Sequence, residues 1–220
     1  MTTPAKQFVW DLPTRLFHWL LAGLFGFSWW SAESGEMEWH YKSGLALCFL
    51  VLFRLIWGLI GTRTSRFSSF VTWPTAILAH LRSSDPISKP GHTPLGAWSV
   101  VAMLAAMALQ VTFGLFAVDI DGLESGPLSY LVSFDQGRVA AELHEVTFNI
   151  LLALISIHLL AVLYYAVFKR KDLIRRMITG KTTQLHDASE PVEPASTARF
   201  ALAVAISTAI TWAVSKGFTF

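Results

Sequence analysis

Long apolar runs alternate with short polar segments along most of the chain. The runs at 14–32, 41–60, 94–118 and 143–168 are long enough to cross about 30 Å of hydrocarbon, so each predicts a transmembrane helix. The run at 198–215 is shorter and contains several serines and threonines. We predict a fifth transmembrane helix there, with a helix lying in the membrane interface as the alternative. The predicted fold class is an all-α integral membrane protein, a four-helix transmembrane bundle with an additional C-terminal transmembrane helix.

The composition points to the same class. Hydrophobic residues make up 53% of the 220 residues and charged residues 15%, whereas charged residues reach about 25% of a soluble domain. The mean hydropathy is +0.49. The single cysteine, Cys48, excludes an internal disulfide, a cysteine-ligated metal cluster and covalent haem attachment through a CxxCH motif. Nothing in the charge distribution indicates nucleic-acid binding, and no removable signal peptide is expected.

The charged residues between the runs predict an orientation. Acidic residues follow the first and third predicted helices, and basic residues follow the second and fourth. The positive-inside rule therefore places the N-terminus in the cytoplasm, as for a multi-pass protein of a bacterial inner membrane. Residues 1–13 are then a cytoplasmic tail, and 14–170 form the four-helix domain. The cytoplasmic connection 61–93 is expected to hold a short helix around 74–82, and 171–197 to form a linker.

Four histidines lie within or at the ends of the apolar runs, at His18, His40, His144 and His158. An ionisable residue inside a membrane is costly and indicates a functional site. The last two are 14 residues apart on one helix, which separates them by about 21 Å in depth. The rotation over 14 residues is about 40° short of four full turns, so both side chains leave nearly the same face of the helix. With the predicted orientation, His18 and His158 form an inner layer, and His40 and His144 form an outer layer.

This arrangement predicts two haems, each held by one histidine from each of two helices in the bundle core. Because two axial histidines leave no open iron position, the expected chemistry is electron transfer. A single buried histidine can also hydrogen-bond a neighbouring helix or relay protons, so these alternatives stay open for each. Zinc or copper requires ligands that converge on one point, which the separation in depth disfavours. His80, His92 and His186 are interpreted as solvated.

Arg15 and Arg54 lie near the inner layer, where their guanidinium groups could pair with haem propionates, and Lys42 could do so outside. The alternative for all three is snorkelling to the lipid headgroups. Small residues are needed where a flat macrocycle lies between helices, although they also serve ordinary helix packing in membranes. The glycines in question are Gly23, Gly26, Gly44 and Gly114.

Three segments resemble the prokaryotic cytochrome b561 family, which includes b-type subunits of membrane-bound hydrogenases. They are RLFHWLLAG at 15–23, WHYKSGLALCFLVLFRLIWGLIG at 39–61 and ELHEVTFNILLALISIHLLAVLYY at 142–165. The resemblance covers roughly residues 8–170. It implies a four-helix bundle with two non-covalent b haems whose ligands match His18, His40, His144 and His158. It also implies electron exchange with membrane quinone and with a redox partner on one side of the membrane.

The leading hypothesis from these features is electron transfer from quinol to a periplasmic c-type cytochrome or another outer acceptor. The acidic outer loops fit a basic partner surface, although solvated loops that follow the topology bias explain them equally well. A second hypothesis is the membrane anchor of a hydrogenase or another periplasmic oxidoreductase, which passes electrons to quinone. A third, from another class, is a non-redox transporter or sensor with a histidine proton relay. No catalytic residue is predicted.

Overall fold

Seven α-helices account for most of the residues that the computed structural model describes, which are 7–71, 73, 94–121, 123–182 and 195–218. The helices are α1 (Leu12–Glu33), α2 (Met37–Ile60), α3 (Phe67–Phe70), α4 (Pro94–Phe116), α5 (Phe134–Val167), α6 (Leu173–Thr179) and α7 (Thr197–Ser215). A short 3-10 helix covers Ser129–Leu131, and strands β1 (Gln7–Phe8) and β2 (Lys181–Thr182) pair antiparallel. The short helix predicted around 74–82, most of the 61–93 connection and His80, His92 and His186 lie outside the described residues.

Four helices, α2, α4, α5 and α7, are long and apolar enough to cross a membrane. The chain is therefore a multi-pass all-α membrane protein, as its apolar pattern predicted, and the C-terminal helix has the required length and hydropathy. Helix α1 has 22 residues, which is about 33 Å and enough to cross. It is nevertheless absent from that group because Arg15, His18 and its tryptophans lower its mean hydropathy. That α1 crosses the membrane remains a prediction.

Helix α5 begins nine residues before its predicted start at 143. Ser133 accepts a hydrogen bond from the Gln136 backbone N–H, and the Gln136 side chain accepts one from the Ser133 N–H, so a complete capping box starts the helix. Hydropathy identified only the apolar part of the helix, so the prediction was wrong at this end. With 34 residues, α5 is about 51 Å long and extends beyond the hydrocarbon layer.

Helix α2 is the centre of the bundle, because it packs against α1, α4 and α7, while α4 also packs along α5. Half of the apolar window of α2 is buried inside the protein, compared with 6% of that of α5. One buried cluster joins Val51 of α2 to Met107 of α4 and Leu151 of α5. A second joins Trp57 of α2 to Ala203 of α7. Helix α5 therefore lies at the edge of the bundle with most of its surface available to lipid.

A buried polar network connects the start of α1 to the end of α2. Asp11, at 8% exposure, caps α1 by accepting from the Thr14 backbone N–H at 2.8 Å. Its carboxylate also accepts from Trp57 Nε1 at 3.1 Å and from the hydroxyls of Thr62 and Ser65 at 2.5 Å each. Burial by itself raises the pKa of Asp11, but the hydrogen bonds from Ser65, Thr14 and Thr62 outweigh it, so the pKa lies below its ordinary value.

Candidate functional site

The four predicted histidines meet in two pairs. His18 of α1 and His158 of α5 have ring centroids 6.4 Å apart, and His40 of α2 and His144 of α5 have ring centroids 6.1 Å apart. These are the same two pairs that the 14-residue interval and the loop charges predicted. Helix α5 thus supplies one ring to each pair, while α1 and α2 supply the others. Ligation by these rings stays a prediction.

The spacing within each pair is the spacing that two axial imidazoles need. With a metal–nitrogen distance of about 2.0–2.1 Å and a ring centroid about 1.1 Å behind the nitrogen, two rings on one iron have centroids about 6.3 Å apart. Both observed distances agree with this value. Within the described ranges, no group of three or more His, Cys, Asp or Glu side chains could hold a metal ion.

Hydrogen bonds hold both rings of the His40–His144 pair. Nδ1 of His40 lies 2.9 Å from the backbone oxygen and 3.2 Å from the hydroxyl of Ser28 in α1. Nδ1 of His144 lies 2.8 Å from the backbone oxygen of Gln110 in α4. With Nδ1 protonated, each ring donates to a carbonyl and leaves Nε2 as the nitrogen available to a metal. Neither Ser28 nor Gln110 was predicted: Gln110 is a polar residue inside an apolar run, but nothing in the sequence indicates that it contacts this ring.

The Gln110 side chain lies against the nitrogen of His144 that would bind iron. Its amide Nε2 is 3.0 Å from His144 Nε2, and its Oε1 accepts a hydrogen bond from the Thr147 hydroxyl. Binding of a haem at this pair therefore requires the amide to rotate away from the ring. The backbone carbonyl that fixes the ring orientation is unaffected by that rotation.

The His18–His158 pair has a different environment. In the described part of the chain, no hydrogen bond reaches either ring, and Nδ1 of His18 is buried without a partner. Three other buried nitrogens without a partner in the described residues are Nε of Arg15, Nη1 of Arg54 and Nε of Arg66. Unsatisfied buried donors are rare in proteins and call for a partner. Of these residues, His18, Arg15 and Arg54 are the ones that the sequence assigned to one haem layer.

Arg15 and Arg54 are held in different ways. Arg15 donates from Nη1 to the backbone oxygen of Ile178 at the end of α6. Arg54 is only 3% exposed, and its guanidinium lies 4.7 Å from the ring centroid of Phe67. Because Arg54 follows His40 by 14 residues on α2, it lies about 21 Å further along nearly the same helix face, at the depth of His18 and His158. Both cations are thus at about the depth of this pair, while their contact with propionates remains a prediction.

The glycines divide into two groups. A Cβ on Gly23, Gly26 or Gly44 would have no heavy atom within 4 Å, so the protein leaves open space beside α1 and α2. A Cβ on Gly114 would lie 2.8 Å from Cε1 of His144, so this glycine allows close approach of the ring to α4. Lys42 forms an ion pair with Glu38 at 2.6 Å and lies 5.0 Å from the Trp39 ring centroid.

The ring spacing fits a haem at each pair. Open space lies beside Gly23, Gly26 and Gly44, and the buried guanidinium nitrogens of Arg15 and Arg54 fit propionates at the His18–His158 pair. A model for the family described as prokaryotic cytochrome b561 matches residues 9–180. No curated protein and no solved structure matches the chain. The match includes all four histidines and both arginines, and α7 lies outside it.

Proposed function

The chain belongs to the prokaryotic cytochrome b561 family, membrane b-type cytochromes of electron transfer, and on that premise we propose that it holds two b haems. One haem is bound between His18 and His158, and the other between His40 and His144. The observation that carries this proposal is the spacing of the two ring pairs, 6.4 and 6.1 Å between centroids. If bound, a haem would supply a one-electron couple, and ligation by both histidines of a pair would leave its iron no open position for oxygen or substrate.

The residues around the two pairs have separate tasks in this proposal. Ser28 and Gln110 orient the rings of His40 and His144 through their backbone oxygens. Arg15 and Arg54 offer unpaired guanidinium nitrogens to anionic propionates at the other pair. Leu151, which is halfway between the two histidines of α5 and fully buried, keeps the space between the two layers apolar.

The proposed partners are membrane quinone or quinol and a periplasmic redox protein such as a c-type cytochrome. The protein lies in the bacterial inner membrane with its N-terminus in the cytoplasm, as the charged loops favour. The His18–His158 pair is then near the cytoplasmic face and the His40–His144 pair near the periplasmic face. The family match favours this electron-transfer role over a non-redox transporter or sensor.

Haem content tests the proposal directly. We expect the purified chain to contain two b haems by pyridine haemochrome analysis, and His158→Ala and His144→Ala to retain one haem each. Asn149→Ala, which changes an exposed polar residue of the same helix, is the matched control and should retain both. One haem in the native chain, or two in either histidine variant, would overturn the pairing.

The quinone partner needs a separate measurement. We expect a quinol analogue, added anaerobically to the oxidised protein, to produce the absorbance band of reduced b haem. An oxidised c-type cytochrome added to the reduced protein should remove that band. Haems that respond to dithionite but to neither partner would refute the proposed partners and leave the haem assignment intact.

A further inference from the structure

The two histidine pairs differ in what lies beyond the ligands. Both rings of the His40–His144 pair have Nδ1 within 2.9 Å of a backbone carbonyl oxygen. Neither ring of the His18–His158 pair has a hydrogen bond to any residue that the structure describes, and Nδ1 of His18 is buried without one. This contrast concerns hydrogen bonds within the protein, so it does not depend on the orientation of the chain in the membrane.

A carbonyl that accepts from the Nδ1–H of a ligating histidine increases the basicity of its Nε2. A more basic axial ligand stabilises ferric over ferrous iron, which lowers the reduction potential. Both axial ligands of one site carry this hydrogen bond, and in the described residues neither ligand of the other site does. The hydrogen bonds therefore make the reduction potential of the His40–His144 site lower than that of the His18–His158 site.

The charged residues near the histidines also lower the reduction potential of the His40–His144 site relative to the other site. Glu36, Glu38, Glu142 and Glu145 lie within four residues of His40 or His144, along with Lys42, which pairs with Glu38. Within four residues of His18 or His158, the only charged residue is Arg15. Negative charge disfavours reduction, and positive charge favours it.

The charge of Arg54 is screened less than the charges of the exposed carboxylates. The four glutamates are exposed, so water and salt screen them. Arg54 is 3% exposed and acts through a medium of lower dielectric constant. Asp11 is the acidic group that faces it and offsets part of its charge. The hydrogen-bonded donors around Asp11 in turn spread the charge of that carboxylate.

We propose that the His40–His144 site has the lower reduction potential of the two and that Ser28 and Gln110 are positioning residues that help to set it. This inference rests on the proposed function, because it assumes one haem at each pair. At equilibrium, an electron then resides on the His18–His158 site.

Single-haem variants assign the potentials to the sites. His158→Ala keeps the His40–His144 site, and His144→Ala keeps the other, so an optical redox titration of each variant gives one potential. Each variant lacks one haem, so the loss of the neighbouring charge affects both titrations alike. We expect the His158→Ala protein to titrate at the lower potential. The reverse order, or equal potentials, would overturn the inference.

Two serine variants test whether the hydrogen bonds to Nδ1 of His40 help to set the reduction potential of that site. Ser28→Ala removes the hydroxyl 3.2 Å from Nδ1 of His40, so we expect the potential of that site to rise. The Ser31 hydroxyl donates to the same Ser28 carbonyl that His40 uses. Ser31→Ala removes this competitor and should lower the potential. A general disturbance of α1 would move both variants in one direction, so shifts of the same sign would refute the assigned role.

The serine variants are titrated as purified two-haem proteins. The spectra of the two single-haem variants then assign each potential to its site. A twofold change in the ratio of reduced to oxidised haem at a fixed ambient potential corresponds to about 18 mV for a one-electron couple. Thr112→Ala, an exposed hydroxyl on α4, is the control and should shift neither potential. A haem count other than two refutes the proposed function, whereas two haems in the opposite order refute only this inference.

Discussion

Asp11→Ala should be one of the most destabilising single changes in the chain. The substitution removes the N-cap of α1 and three further hydrogen bonds, which come from Trp57, Thr62 and Ser65. These partners belong to the end of α2 and the segment after it. The carboxylate therefore holds two helices together, and Arg54 loses the anion that faces it.

The expected magnitude follows from these contacts. Loss of an N-cap costs about 1 kcal/mol. A buried donor left without its acceptor costs about 1–3 kcal/mol, and Trp57 Nε1 has no other acceptor among its hydrogen bonds in the described structure. Thr62 and Ser65 can bond to one another, which recovers part of their loss. We expect a total of about 3–4 kcal/mol, summed from these typical values.

Asp172→Ala provides the matched control. Asp172 caps α6 by accepting from the Arg175 backbone N–H at 2.9 Å, and this cap is exposed. The control therefore removes a cap without a buried network and should cost about 1 kcal/mol or less. Because Cys48 is the single cysteine and is buried, a thiol-reactive fluorogenic dye reports unfolding in detergent. Equal losses of thermal stability in both variants would refute the role assigned to the network.

The pH dependence of stability should distinguish the charge of Asp11 from its shape. The folded-state pKa is lowered, so the ionised carboxylate stabilises the fold above the unfolded-state pKa of about 3.9. That contribution is lost as the pH falls through the lower folded-state pKa. Asp11→Asn keeps an acceptor but has no charge to lose. We expect the stability difference between the native chain and this variant to narrow below about pH 4.

Three further predictions concern the helices around the site. Gly44→Val fills space that has no heavy atom within 4 Å of a Cβ, so it should remove haem from the His40–His144 site without reducing the amount of protein in the membrane, measured by haem-to-protein ratio. Gln110→Ala removes the amide next to His144 Nε2 and keeps the carbonyl, so haem transfer to apomyoglobin should be no faster than from the native chain. Ala203→Leu overfills the contact between α7 and α2 and should cost about 1–3 kcal/mol in the Cys48 dye assay, whereas Leu202→Ala, at an exposed position, should cost little.

The meeting of the two histidine pairs was predictable from the sequence for a simple geometric reason. A helix fixes both the rise and the rotation per residue, so an interval of 14 residues determines depth and direction together. The charges of the loops then decide which histidines share a depth. No knowledge of side-chain packing was needed to expect His18 beside His158 and His40 beside His144, and the structure brings these rings together.

The surroundings of the rings were not predictable in the same way. Which carbonyl faces Nδ1 of His144 depends on the rotation of α4 relative to α5, and each is amphipathic only weakly because lipid covers most of its surface. Nothing in the sequence distinguished Gln110 as the neighbour of that ring. The capping box at Ser133 was visible in the sequence, but a search for apolar runs passes over a polar helix start. Contacts between helices, rather than properties of one helix, account for what was missed.

The position of α5 explains why the cofactors matter to the fold as well as to electron transfer. Only 6% of its apolar window is buried in the protein, and the contacts of α1 with it include the stacked pair Phe25 and Phe148 at 5.9 Å. In lipid, apolar surface gives no net drive to bring helices together. A haem ligated from both sides joins α1 to α5 at one depth and α2 to α5 at the other. Because such a ligand binds the assembled bundle and not the separated helices, its binding free energy also stabilises the bundle.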